Sequence, residues 1–89
     1  DANIRELRNK TLELEASLRR YNESLRYYTS SALKEADELL KVANLQLQHS
    51  ETNITEFIQA VNVARDIRRG YLETVYQYNI AALEYELFK

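Results

Sequence analysis

From the amino end, apolar side chains fall at Ile4, Leu7, Leu14, Leu18, Tyr21, Leu25, Tyr28 and Ala32, in alternating steps of three and four with one lapse at Thr11. That spacing predicts one helical face of heptad character. Beyond Ala32 the row drifts by one step, to Ala36, Leu40, Ala43 and Leu47. Such a drift changes the local supercoil, and the small Ala32, Ala36 and Ala43 let a neighbouring helix come close. Nothing between Ala2 and Gln48 is an obligatory breaker, so the pattern predicts a helix over about 2–50, roughly 70 Å long if unbroken. Its weakest stretch is Tyr27 to Ser31, where aromatic, β-branched and short hydroxyl side chains lower helix propensity. A bend at Thr29–Ser31 is the alternative, and it would fold the chain into a three-helix bundle.

The one plausible corner is "HSETNITEF", His49 to Phe57. Asn53 is followed three residues later by Glu56, the spacing of a capping box: the Asn side chain accepts from the N3 amide while the Glu side chain reaches back to the Asn amide. A second helix is therefore predicted over about 54–88, after a turn at about 49–53. Ser50 and Thr52 offer hydroxyls to the last carbonyls of the first helix, with no glycine for a left-handed position. A turn this short makes the two helices antiparallel neighbours.

The second helix carries Phe57, Val61, Ala64, Tyr71, Val75, Tyr78, Ala82 and Tyr85 in three-and-four spacing, interrupted at Arg68. Beside that row lie Ala60, Val63, Ile67, Leu72, Tyr76, Ile80, Leu83, Leu87 and Phe88. Only the strip through Asn62, Asp66, Arg69, Glu73, Gln77 and Glu84 is consistently polar. A helix wetted on one strip alone has at least two neighbours. Gly70 inside it costs about 1 kcal/mol relative to alanine, which points to close packing or a slight bend. The seven tyrosines suit such an environment, because the ring can be covered while the hydroxyl reaches water or another helix.

Composition narrows the function classes. A chain of 89 residues is at most one small domain and buries only about 60–65% of its unfolded surface, so partners are expected. Twelve basic side chains against fourteen acidic ones, with the basic residues scattered, argue against nucleic acid or an anionic membrane surface. There is no cysteine, hence no disulfide, thiolate metal site or cysteine nucleophile. No apolar run approaches the roughly 20 residues of a membrane-spanning helix, so no direct membrane insertion is expected, and the start lacks the apolar core of a signal peptide.

The polar residues assemble no chemistry. His49 with Glu51 and Glu56 would be a sparse metal site on a flexible turn, lacking convergent ligands and the groups that orient them. Arg65, Arg68 and Arg69 could bind an anion, but Asp66 between them and Glu73 one turn on from Arg69 favour ordinary helix-surface ion pairing. Glu13 and Glu15, like Glu84 and Glu86, lie two apart and face different sides of a helix. The triplets at Asn22 and Asn53 match the N-glycosylation pattern, which is too common by chance to carry an argument. Neither catalysis nor a cofactor or metal is expected.

The segment "NITEFIQAVNVARDIRRGYLETVYQYNIAALEYEL", Asn53 to Leu87, resembles the last long helix of the outer membrane factors, the TolC-like channels of bacterial efflux pumps and secretion systems. It is most similar to the heavy-metal efflux branch. There the turn is typically a tyrosine, two variable residues, Gly-Glu-Ile and a Thr, Ser or Asn, followed by an apolar helix. Ile54 and Thr55 match that turn, and "YLETVYQYNIAALEYEL" matches the Tyr-rich continuation. "YYTSSALKEADELLKVANLQLQ", Tyr27 to Gln48, resembles the helix entering the turn. Thr52 stands for the usual glycine, Asn53 for a frequent glutamate and His49 for a frequent tyrosine, so no particular gating contact or exported compound is carried over.

The resemblance implies an all-α chain: a long antiparallel, coiled-coil-like hairpin from the second repeat of a larger protein. In such channels three subunits pool their helices into a periplasmic α-barrel, and the hairpin turns form its inner-membrane end. The turns meet the helical hairpins of a periplasmic adaptor, the membrane fusion protein, which couples the channel to an inner-membrane pump. On this reading His49, Ser50, Glu51, Thr52, Asn53, Ile54 and Thr55 are the docking tip at the channel mouth. Leu14, Leu18, Tyr21, Leu25 and Tyr28 with Phe57, Val61, Ala64, Tyr71, Val75 and Tyr78 form the helix-packing seam. The competing expectation is a free-standing coiled-coil or three-helix interaction module with no transport role.

Overall fold

The computed structural model describes residues 2–89. Three α-helices follow in order: α1 over Ala2–Tyr27, α2 over Leu33–Gln48 and α3 over Ile54–Phe88, with a π-helical turn at Tyr28–Ala32 between the first two. There is no strand among the described residues. At Thr29–Ser31, where the sequence allows a bend, the backbone stays helical and accommodates the weak stretch by widening one turn. The Leu33 amide reaches back five residues to the Tyr28 carbonyl, which is the spacing of a π turn. The Ser31 hydroxyl donates to the Tyr27 carbonyl at 3.2 Å, a side-chain bond inserted into the helical ladder.

The chain forms two compact units. In the first, Asp1–Arg26 with Glu73–Lys89, α1 and the carboxyl half of α3 pack antiparallel. Leu14 is the large buried residue here, joined by Ala81. Thr11 donates its hydroxyl to the Leu7 carbonyl at 2.9 Å, with the terminal Phe88 carbonyl of α3 at 3.3 Å as second acceptor. The lapse in the apolar row is thus where α3 ends. Ile4 and Leu7 lie beyond that end and stay 67% and 49% exposed. Phe88 lines a shallow cleft with Asn3, Glu6, Leu7 and Lys10.

The second unit, Tyr27–Leu72, holds the π turn, α2 and the amino half of α3. Its covered positions are small: Ala32, Ala36, Ala43 and Ala64 are buried. Alanines on facing helices permit a shorter interaxial distance than leucines, and Gly70 extends this to its limit. A Cβ at Gly70 would overlap the Tyr28 hydroxyl and lie 3.3 Å from Cζ of the same ring. That ring meets Tyr71 edge-on, centroids 5.9 Å apart, and Tyr27 at 5.7 Å. Close packing is therefore the reason for the lone glycine.

The end of α2 is closed by backbone amides, where the sequence led us to expect hydroxyls. Ser50 adopts φ 57°; its N–H bonds the Leu47 carbonyl at 3.2 Å and the Glu51 N–H bonds the Gln46 carbonyl at 2.8 Å. This pair of bonds is a Schellman motif with serine in the left-handed position usually held by glycine. A left-handed non-glycine residue costs about 1–2 kcal/mol. Ser50→Gly is therefore expected to raise the unfolding free energy by about 0.5–1 kcal/mol, after the entropy glycine adds to the unfolded chain. Urea denaturation of the two proteins checks it; a loss of stability contradicts the assignment of this turn.

Candidate docking tip and packing seam

The tip is built around the start of α3. Asn53 Oδ1 accepts from the Glu56 amide at 2.8 Å, and the Phe57 amide bonds the Asn53 carbonyl at 3.1 Å. The Asn half of the capping box is formed. The other half is not: the Glu56 carboxylate takes its hydrogen bond from the Thr52 hydroxyl instead of the Asn53 amide. A hydroxyl donating to a carboxylate makes a short, charge-assisted bond, and it holds the link across the helix start. His49, Ser50, Glu51, Asn53, Ile54 and Thr55 are exposed, and Thr52 is half-buried. Ile54 is 58% exposed, so the tip presents one apolar side chain in a polar surround on a backbone pinned at both helix ends. No three His, Cys, Asp or Glu side chains among the described residues converge to hold a metal ion.

The seam residues divide between the two units. Leu14 is buried and Leu18, Tyr21, Leu25, Val75 and Tyr78 are half-buried in the first. In the second, Ala64 is buried and Tyr28, Phe57, Val61 and Tyr71 are half-buried. No large side chain among the described residues is wholly enclosed. In the second unit the seam therefore has an Ala-lined floor, in the first Leu14 is its buried residue, and in both the larger side chains along the margins remain half-wet.

Polar side chains cross between helices within each unit. Arg68, the interruption in the α3 row, places Nη2 2.6 Å from Asp37 Oδ1 on α2. The sequence marks Arg68 as a surface ion-pairing residue among Arg65, Asp66, Arg69 and Glu73; the carboxylate it meets is carried by the antiparallel helix. With the two side chains 51% and 70% exposed, the pair is worth at most about 1 kcal/mol; its effect is on register. In the first unit the Tyr85 hydroxyl donates to Glu15 Oε1 at 3.1 Å, and Lys10 lies 3.8 Å from Glu84. Thr11 and Arg68 were absent from the predicted seam; the signal that marks them is that each breaks an otherwise regular apolar row. The pairing of Tyr28 with Gly70 has no comparable signal.

Compared with protein-family models, with curated proteins and with solved structures, the chain matches none. Among the described residues no helix is long and apolar enough to cross a membrane.

The bond to Glu15, and then the charge of that carboxylate, hold the Tyr85 phenol proton and raise its pKa above the ordinary 10.0. The folded state then binds this proton more tightly than the unfolded state. The stabilisation is complete below pH 10 and is lost as pH rises through the raised value. Denaturant melts of the parent and Tyr85→Phe at pH 9 and at successive steps above pH 10 should converge as the phenol ionises. A difference that stays constant with pH contradicts the role of this bond.

Proposed function

We propose that this chain is a periplasmic helical-hairpin segment of a TolC-like outer membrane channel in a tripartite efflux pump. His49 to Thr55 are the end that docks on the periplasmic adaptor and frames the channel mouth. The observation that carries the reading is the second apolar row on α3. In the first unit Tyr76, Leu83 and Leu87 are 62%, 67% and 82% exposed, and at about 100° per residue they lie roughly 80–120° round α3 from Val75 and 140–180° from Tyr78. An apolar row that its own hairpin leaves uncovered is the surface a helix needs for a neighbour on each side, as in the wall of a trimeric helical barrel. The pinned tip supports the same reading, since a preorganised end with exposed Ile54 docks with little ordering cost. The family assignment itself rests on the resemblance of Asn53 to Leu87 and of Tyr27 to Gln48.

A second reading, a free-standing interaction module without a transport role, is favoured by polar contacts that complete the seam within one chain, Asp37 with Arg68 and Glu15 with Tyr85. The two separate in cells. A photo-crosslinking residue in place of Ser50 is expected to capture a periplasmic adaptor with a helical-hairpin tip, and one in place of Tyr76 to capture helices of the same channel. If the Ser50 probe captures only cytoplasmic proteins, or none, the channel reading fails.

A further inference from the structure

We infer that the π turn at Tyr28–Ala32 and Gly70 are two halves of one conformational lock, in which the Tyr28 side chain seated on Gly70 holds the widened turn against relaxation to an ordinary α turn. All the residues belong to the second unit, and the inference stands whichever functional reading holds. A π turn is a local excursion from the α-helical ladder and persists where something outside the ladder holds it. The local sequence opposes it little. Tyr27, Tyr28, Thr29, Ser30 and Ser31 are all weaker helix formers than alanine, so the turn is the softest point of the segment.

What holds it lies across the seam. The Leu33 amide is bonded to the Tyr28 carbonyl, so the residue whose carbonyl closes the widened turn also sends its side chain to the facing helix. That side chain ends where a Cβ at Gly70 would be, with Cε1 3.7 Å and Cζ 3.3 Å from that point. It is fixed sideways by the edge-on Tyr71 ring. The carboxyl side of the turn is anchored independently, by Ala32 at 2% and Ala36 at 0% exposure. With that side fixed, removing the extra residue from the turn rotates Tyr28 about the helix axis by roughly one residue step, about 100°, and lifts the ring off Gly70.

Helix register and seam closure are therefore coupled. A partner that parts α2 from α3 at Gly70 releases Tyr28 and lets the turn tighten, and tightening the turn withdraws Tyr28 and opens the seam. The two states differ by a discrete hydrogen-bond exchange, with the Leu33 amide on the Tyr28 carbonyl or on the Thr29 carbonyl.

Scalar couplings across hydrogen bonds, measured by NMR on the intact chain, identify the acceptor of the Leu33 amide. The parent should show coupling to the Tyr28 carbonyl. Gly70→Ala, which fills the seat, and Tyr28→Ala, which empties it without crowding, should each shift the coupling to Thr29. Far-ultraviolet circular dichroism should show retained helix. Tyr28→Ala removes atoms only, so it keeps the test decisive if Gly70→Ala does not fold. Retention of the Tyr28 coupling in Tyr28→Ala, or its absence in the parent, overturns the lock.

Discussion

The close approach of α2 to α3 across small side chains is the constraint on which the rest of the second unit depends. Ala36 and Ala64 have no exposed surface, Ala32 and Ala43 are nearly as enclosed, and Gly70 gives up even its Cβ to a tyrosine from the facing side. Such a seam gains little from transfer of apolar surface, since each methyl is worth about 0.8 kcal/mol. Small residues let the two backbones come close, and dispersion across that short separation adds to the transfer gain. The seam is correspondingly intolerant of added volume.

A seam of alanines specifies register weakly, because one alanine resembles the next. The polar crossings supply what the small residues do not. Across the alanine seam of the second unit Arg68 with Asp37 fixes one residue opposite another, and beside Leu14 in the first unit Tyr85 with Glu15 and the Thr11 hydroxyl near the Phe88 carbonyl do the same. All are partly wet and individually modest in energy. A slipped register leaves them unmade, as polar residues inside coiled-coil seams do. The same economy of interior leaves large apolar side chains on the outside, among them Leu72, Tyr76, Leu83 and Leu87. In the second unit the interior is thus closed by small residues while large apolar ones stay at the surface.

Much of this is legible in the order of residues. Three-and-four spacing marks the helices, the absence of proline marks their length, and Asn53 followed by Glu56 marks where α3 begins. The drift of the apolar row after Ala32 and the weak stretch at Tyr27 to Ser31 both fall at the π turn. Neither says whether the backbone there breaks or widens, because the deciding contact, Tyr28 with Gly70, lies between residues far apart in the chain. The left-handed Ser50 is hidden for a related reason: geometry that glycine usually signals is imposed here by two flanking helices. The Thr52 to Glu56 bond is missed because two acceptable donors compete for one carboxylate. Arg68 reads from the sequence as a surface ion-pairing residue, but its partner Asp37 is carried by the helix opposite, which local ion-pair rules along one helix do not reach.

Close packing at the alanine seam holds α3 against α2, and Ala64→Leu tests it directly. Leucine is nearly as good a helix former as alanine, so on a loosely associated helix the change is neutral or adds apolar cover. In a seam already closed on the Ala64 methyl it overpacks the interface, at a cost of about 1–3 kcal/mol. Thermal and urea unfolding of the two proteins should show a clear loss of stability with helix content retained at low temperature. An unchanged or raised melting temperature would mean that α2 and α3 do not approach as closely as the structure describes.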